Sequence, residues 1–207
     1  MKIIKTLTIV TTIVVIAIVG FAYSGLYDVS ASSSHSSIVN WLLSTTSHAS
    51  IERNAKGIEV PVLSDDALVR AGVNDFDGMC AGCHGAPGQD PEAMGQGLNP
   101  PPPDLAESVS EMSPAELFWV TKNGIKMTGM PAWGATHDDD AIWPVVAFMT
   151  KLPDLDAAQY RNLLESASGM GHHANDAAVE GHPHEDAGHS EDKPAEPEEH
   201  DHSTHEH

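Results

Sequence analysis

The sequence predicts an all-α chain made of unlike parts. Three observations predict it. Residues 64–153 carry amphipathic helical runs, opened by capping residues and closed by glycine or proline, with no strand-rich pattern. Ahead of them stands one long apolar run without charge, and behind residue 169 nothing is apolar enough to pack. The chain therefore divides into an apolar N-terminal segment (1–27), a linker holding a short amphipathic helix (28–63), a helical domain (64–153), a helical extension or linker (154–171) and a tail (172–207).

Composition narrows the function. The formal charge of −20, from 30 acidic and 10 basic residues, excludes a nucleic-acid binder that relies on phosphate attraction. Two cysteines cannot build a disulfide-dense scaffold or a four-cysteine zinc centre. Aromatics make up only 5% of the chain, so a compact domain here calls for apolar surface beyond its own side chains.

Lys2 and Lys5 precede an uncharged stretch from Leu7 to Ala22, rich in Ile, Val and Ala. It has the charged start and apolar middle of a bacterial export signal, with a cleavage point after Ala31. The run from Ile3 to Tyr23 is also long enough to span a bilayer, and Tyr23 and Tyr27 suit a membrane–water interface. Length favours a retained anchor, with the lysines holding the N-terminus in the cytoplasm; cleavage would leave a soluble periplasmic protein. Serine-rich residues 30–37 read as loop. Ile38, Val39, Trp41, Leu42, Leu43 and Ile51 mark a short amphipathic helix that lies on the membrane surface or packs on the domain. Glu59–Val62 is extended, since Pro61 disfavours helix before it.

In the domain, Asp66–Ala71 followed by Phe76 and Met79 is helical, with Ser64 as its expected N-cap. Ser113-Pro114-Ala115-Glu116 sets a cap, a proline at the first helical position and an acid in the first turn; Gly124 closes that helix. Asp138–Asp140 place negative charge before a last helix from Ala141 to Leu152, with Pro144 in its first turn and Pro153 as its stop. Asn99–Pro103 is a rigid proline-rich loop. The tail from His172 holds nine histidines and carries a net charge of −10, half that of the chain. Its composition predicts disorder, with loose binding of divalent metal ions by imidazole and carboxylate as the functional reading.

Cys80-Ala81-Gly82-Cys83-His84 is the C-x-x-C-H pattern of covalent c-type haem attachment. Two cysteines three apart share one turn and reach two vinyl groups of one porphyrin, and the following histidine falls beneath the iron as axial ligand. A thioredoxin-like pair would need a βαβ context, and a zinc site lacks two further cysteines. The second axial ligand is expected at Met130, in the loop Gly129-Met130-Pro131, 46 residues beyond His84. Pro131 discourages helix at Met130, and a thioether favours reduced iron. Met127 is the nearest rival.

On these motifs, residues 65–153 resemble a class I c-type cytochrome domain of the bacterial membrane-associated monohaem type. Gly72-x-x-x-Phe76 ahead of Cys80 is similar to that family's N-terminal helix, and Pro103-Asp104-Leu105 to the segment after its haem motif. The resemblance implies the cytochrome c fold, a few helices around one covalent haem c. It implies that the Pro103 carbonyl orients His84, that Leu105 packs on the ring, and that Met130 is the distal ligand. It implies that Phe148 meets Gly72 and Phe76 where the terminal helices cross.

The function so implied is one-electron transfer at the outer face of the bacterial cytoplasmic membrane, without enzymatic activity. Partners would be a respiratory oxidase, a reductase or a copper protein, and the net charge of −9 over residues 65–152 would steer basic docking patches toward the domain. Three alternatives remain: a subunit of a permanent membrane oxidoreductase, a haem sensor or peroxidase with an open distal position, and periplasmic metal handling by the tail.

Overall fold

The structure, a computed structural model, describes residues 1–171. The acidic tail 172–207, and with it the metal-binding reading, lies outside the described residues. Within them the regular structure is helical, joined by a single isolated bridge between Ala86 and Gln89.

Helix α1 (Lys2–Tyr23) is 22 residues long, reaches a mean hydropathy of 2.4 over 18 of its residues and buries none of them. The hydroxyls of Thr6, Thr8 and Thr12 donate to the carbonyls of Lys2, Ile4 and Thr8, which pairs these donors within the helix. Helix α2 (Ser37–Ala55) starts at Ser36, whose side chain accepts from the Val39 amide. It is longer than its apolar residues suggested, and it packs on the domain, with its buried residues Ile51 and Ala55 in its C-terminal half.

Helix α3 (Asp66–Phe76) is capped by Asp65, not by the expected Ser64: the Asp65 carboxylate accepts from Ala67 N at 2.9 Å. A carboxylate meets both the open amides and the positive end of the helix, which a hydroxyl one residue earlier cannot match. The rod continues through a π turn (Asp77–Ala81) and one last turn, α4 (Gly82–His84), until Gly85 breaks it at φ 73°.

After the short turns α5 (Ala93–Gln96) and α6 (Leu105–Ser108) comes α7 (Pro114–Asn123), with Ser113 and Glu116 in a reciprocal capping box and Gly124 at φ 65° as its end. Helix α8 (Asp139–Met149) begins two residues before the expected Ala141, capped by Asp138 on Ala141 N at 3.0 Å. Pro144 therefore lies inside the helix rather than in its first turn. Its missing amide removes the i→i−4 donor to the Asp140 carbonyl, at an exposed position. The helix also stops short of Leu152, which opens a 3-10 turn holding Pro153. Helix α9 (Ala157–Ser166) follows, with a capping box of Asp156 and Gln159.

The core is the crossing of α3 and α8. A Cβ on Gly72 would stand 1.9 Å from the Pro144 carbonyl oxygen, so only glycine lets the two backbones meet there. Phe76 and Phe148 lie 5.0 Å apart, centroid to centroid. Tyr160 of α9 closes on both, at 6.4 and 6.0 Å, and is completely buried. Each such ring contributes about 2–3 kcal/mol of burial, so α9 belongs to the packed body rather than trailing from it. Phe118 of α7 stacks on Trp143 at 4.1 Å and joins that helix to α8.

Candidate haem site

The motif cysteines sit where the α3 rod ends. Cys80 is in the π turn and Cys83 in α4, three residues on, so both emerge on one side of the rod, with His84 directly after. A π turn, which widens the helix by one residue per turn, is common at functional sites. Cys80 is buried and its thiol is pushed up to about 12, first by burial and then by the neighbouring Cys83 and Asp75. Cys83 is half-buried. Gly95 packs α5 onto the Cys83 backbone, where a Cβ would come within 2.5 Å of the carbonyl oxygen. The chain after His84 turns back at once, as Ala86 and Gln89 exchange hydrogen bonds of 3.0 and 2.7 Å.

His84 Nδ1 lies 2.9 Å from the Pro103 carbonyl oxygen. A carbonyl only accepts, so Nδ1 carries the proton and Nε2 keeps the lone pair. Burial holds the His84 imidazole below its usual range, opposed by the Pro103 bond and by Asp104. The ring is thus held neutral in the tautomer that ligates through Nε2. Asp104 also caps α6 through Ala106 N at 2.8 Å, which fixes the segment carrying Pro103. Leu105 follows, half-buried against the apolar core.

Met130 comes from the loop after α7. Gly124 makes that loop possible: its positive φ starts it, and a Cβ there would lie 2.6–2.7 Å from the Met130 and Pro131 backbone. Thr128 braces it, its hydroxyl donating to the Ile125 carbonyl at 2.7 Å and accepting from Met130 N at 3.1 Å. Ile125 N closes the loop on the Met130 carbonyl at 3.3 Å. Met127 differs: it is 80% exposed and at φ 63°, a left-handed conformation costly for its side chain. Trp133 sits in the next turn, edge-on to His137 at 5.6 Å.

The loop from Leu98 to Pro103 touches both His84 and the segment before Met130. Pro103 holds His84 at its far end, and Leu98 presses on Gly129, the residue before Met130, where a Cβ would meet it at 2.5 Å. The structure thus brings Cys80, Cys83, His84, Pro103 and Leu105 together at the end of the α3 rod, and reaches Met130 through Leu98. Sequence reasoning had missed Leu98 and Thr128. The signal for Thr128 was a hydroxyl two residues before a loop amide, a common turn former; an isolated leucine gives none.

The donors present, two thiols three apart, a neutral imidazole with its far nitrogen tied and a loop thioether, fit a covalently held iron porphyrin. Residues 67–149, about two fifths of the chain, match the family model described as cytochrome C oxidase, cbb3-type, subunit III. Residues 67–149 are a c-type cytochrome domain. Members of that family bind haem c covalently, and the cytochrome domain here carries its two cysteines in the same arrangement. Haem-based electron transfer is what such a domain performs. No curated protein matches the chain, and no solved structure does.

Proposed function

We propose that the chain is a one-electron carrier tethered by α1 to the outer face of a bacterial cytoplasmic membrane, with His84 and Met130 as axial ligands. Cys80 and Cys83 would hold the group through thioethers. Bound there, haem c supplies an Fe(III)/Fe(II) couple. The chain's own part is to fix the donors. Pro103 would hold the proton on His84 Nδ1 and orient the ring, which leaves Nε2 as the nitrogen to ligate. Thr128 and Gly124 hold the Met130 loop in one conformation, so little has to rearrange with the charge. With His84 and Met130 both engaged, no coordination position would remain for a substrate, and the chain would serve as a carrier rather than an enzyme.

The observation that carries this reading is the His84–Pro103 hydrogen bond at the end of the cysteine-bearing rod. Protein matured in a host that attaches c-type haem should show the intact mass of one polypeptide plus one haem, and its reduced form should resist carbon monoxide. Bare polypeptide, or immediate uptake of carbon monoxide, would sink the reading.

A second reading makes the chain a permanent subunit of a respiratory oxidoreductase. The matching family is described as a subunit of a cbb3-type oxidase. The linker is also tied to the cytochrome domain by a hydrogen bond of 2.7 Å from Asn99 Nδ2 to the Ser33 carbonyl, which restrains a free shuttle. Co-purification with a large integral-membrane protein in mild detergent distinguishes the two. In either case a partner with basic docking patches fits the domain's charge of −9.

A further inference from the structure

Helix α2 is inside out over its first half. The face that buries Ile51 and Ala55 near its C-terminus carries Ser44, Asn40 and Ser37 further up, by helical spacing. Those polar side chains, with Trp41, line a cavity of about 510 Å³ whose opposite wall is Asn99, Pro100 and Pro101. The face turned away from the domain carries Ile38 and Leu42, with Trp41 at its edge; they are 77%, 56% and 65% exposed. A helix whose outer side meets water has the reverse pattern, polar outward and apolar inward.

We infer that the outer face of α2, through Ile38, Trp41 and Leu42, lies in the headgroup–acyl boundary of the membrane that holds α1. This rests on the reading of α1 as a membrane anchor. Three observations favour lipid over a protein partner. Residues 29–51 contain no Asp, Glu, Lys or Arg, and the first charges of α2, Glu52 and Arg53, come only where the helix packs on the domain. Only 13 residues, 24–36, separate α1 from α2, so α2 cannot leave the neighbourhood of the bilayer. Trp41 supplies the amphipathic ring that favours the interface. Interfacial helices that seek anionic lipid carry Lys or Arg on the polar face, and this one carries Ser and Asn. The surface recognised is therefore zwitterionic lipid, through apolar burial alone.

The test uses the full-length holoprotein in phosphatidylcholine nanodiscs doped with a phosphatidylcholine whose acyl chain bears a carbene precursor. After photolysis, peptide mapping should place lipid adducts both in α1 and on residues 38–42. The pair Ile38→Ser with Leu42→Ser should cut the α2 adducts at least tenfold and leave those on α1 unchanged. Adducts on α1 alone would overturn the inference while the anchor stands. Adducts on neither segment would overturn the anchor as well.

Discussion

The Tyr160 hydroxyl donates to Asp77 Oδ1 at 2.6 Å, and so ties the last described helix to the first residue of the π turn that bears Cys80. Burial, then the bond to Asp77, raises the tyrosine above its ordinary value of 10.0. The folded protein therefore keeps this proton where the unfolded chain loses it. Stability from Tyr160 is fully present below pH 10 and falls above it, by up to about 1.4 kcal/mol per pH unit. Denaturation of Tyr160→Phe between pH 9 and 11.5 should show a shallower loss than the natural protein. Equal slopes would mean that the phenol ionises in the fold.

Met130→Ala removes the thioether and leaves both cysteines. Haem should stay covalently attached, seen by intact mass, while the reduction potential falls by roughly a tenth of a volt or more, within the ~0.8 V range that axial ligands govern. Met127→Ala, in the exposed residue of the same loop, should leave the potential where it was. The opposite pattern would move the distal ligand to Met127.

Thr128→Val takes away a donor to Ile125 and an acceptor for Met130 N without changing side-chain shape. Each bond is worth about 1 kcal/mol, and with Met130 as the proposed distal ligand imidazole would have to displace it to bind iron. Spectral titration should show imidazole binding about tenfold more tightly or better to this variant. Unchanged affinity would show that the hydroxyl does not hold the loop.

Gly72→Ala puts a methyl 1.9 Å from the Pro144 carbonyl, so α3 and α8 must separate. The denaturation midpoint of the holoprotein should drop by the equivalent of about 3 kcal/mol. Gly97→Ala is the control: its Cβ would meet ordinary contacts at 3.5 and 3.7 Å, and stability should change by less than about 0.5 kcal/mol.

Much of this was legible in the residues because its causes are local. The C-x-x-C-H spacing, the capping box at Ser113 and the glycine end of α7 are each decided within a single turn. The loop of Met130 was readable from Pro131 for the same reason. What escaped depended on distant partners. Tyr160 sits in a stretch of modest hydropathy, and only the aromatic slot between Phe76 and Phe148 makes it core. Pro144 argues locally for a first turn, yet three aspartates before it carried the helix start upstream. The cap of α3 fell one residue late because two acceptors, Ser64 and Asp65, competed at adjacent positions. The apolar residues of α2 are plain in the sequence, but that Ile38 and Leu42 point away from the domain shows only against the Asn99 loop.

The clasp between Asn99 and Ser33 has a consequence for how a partner is met. It shortens the free leash from α1 to residues 24–32, nine residues that stretch to roughly 30 Å at most. Were α1 held in a bilayer, as proposed, the cytochrome domain would stay close to it, with its collisions confined to a thin layer above the lipid. An acceptor would then have to drift to it in the same plane or stand beside it already.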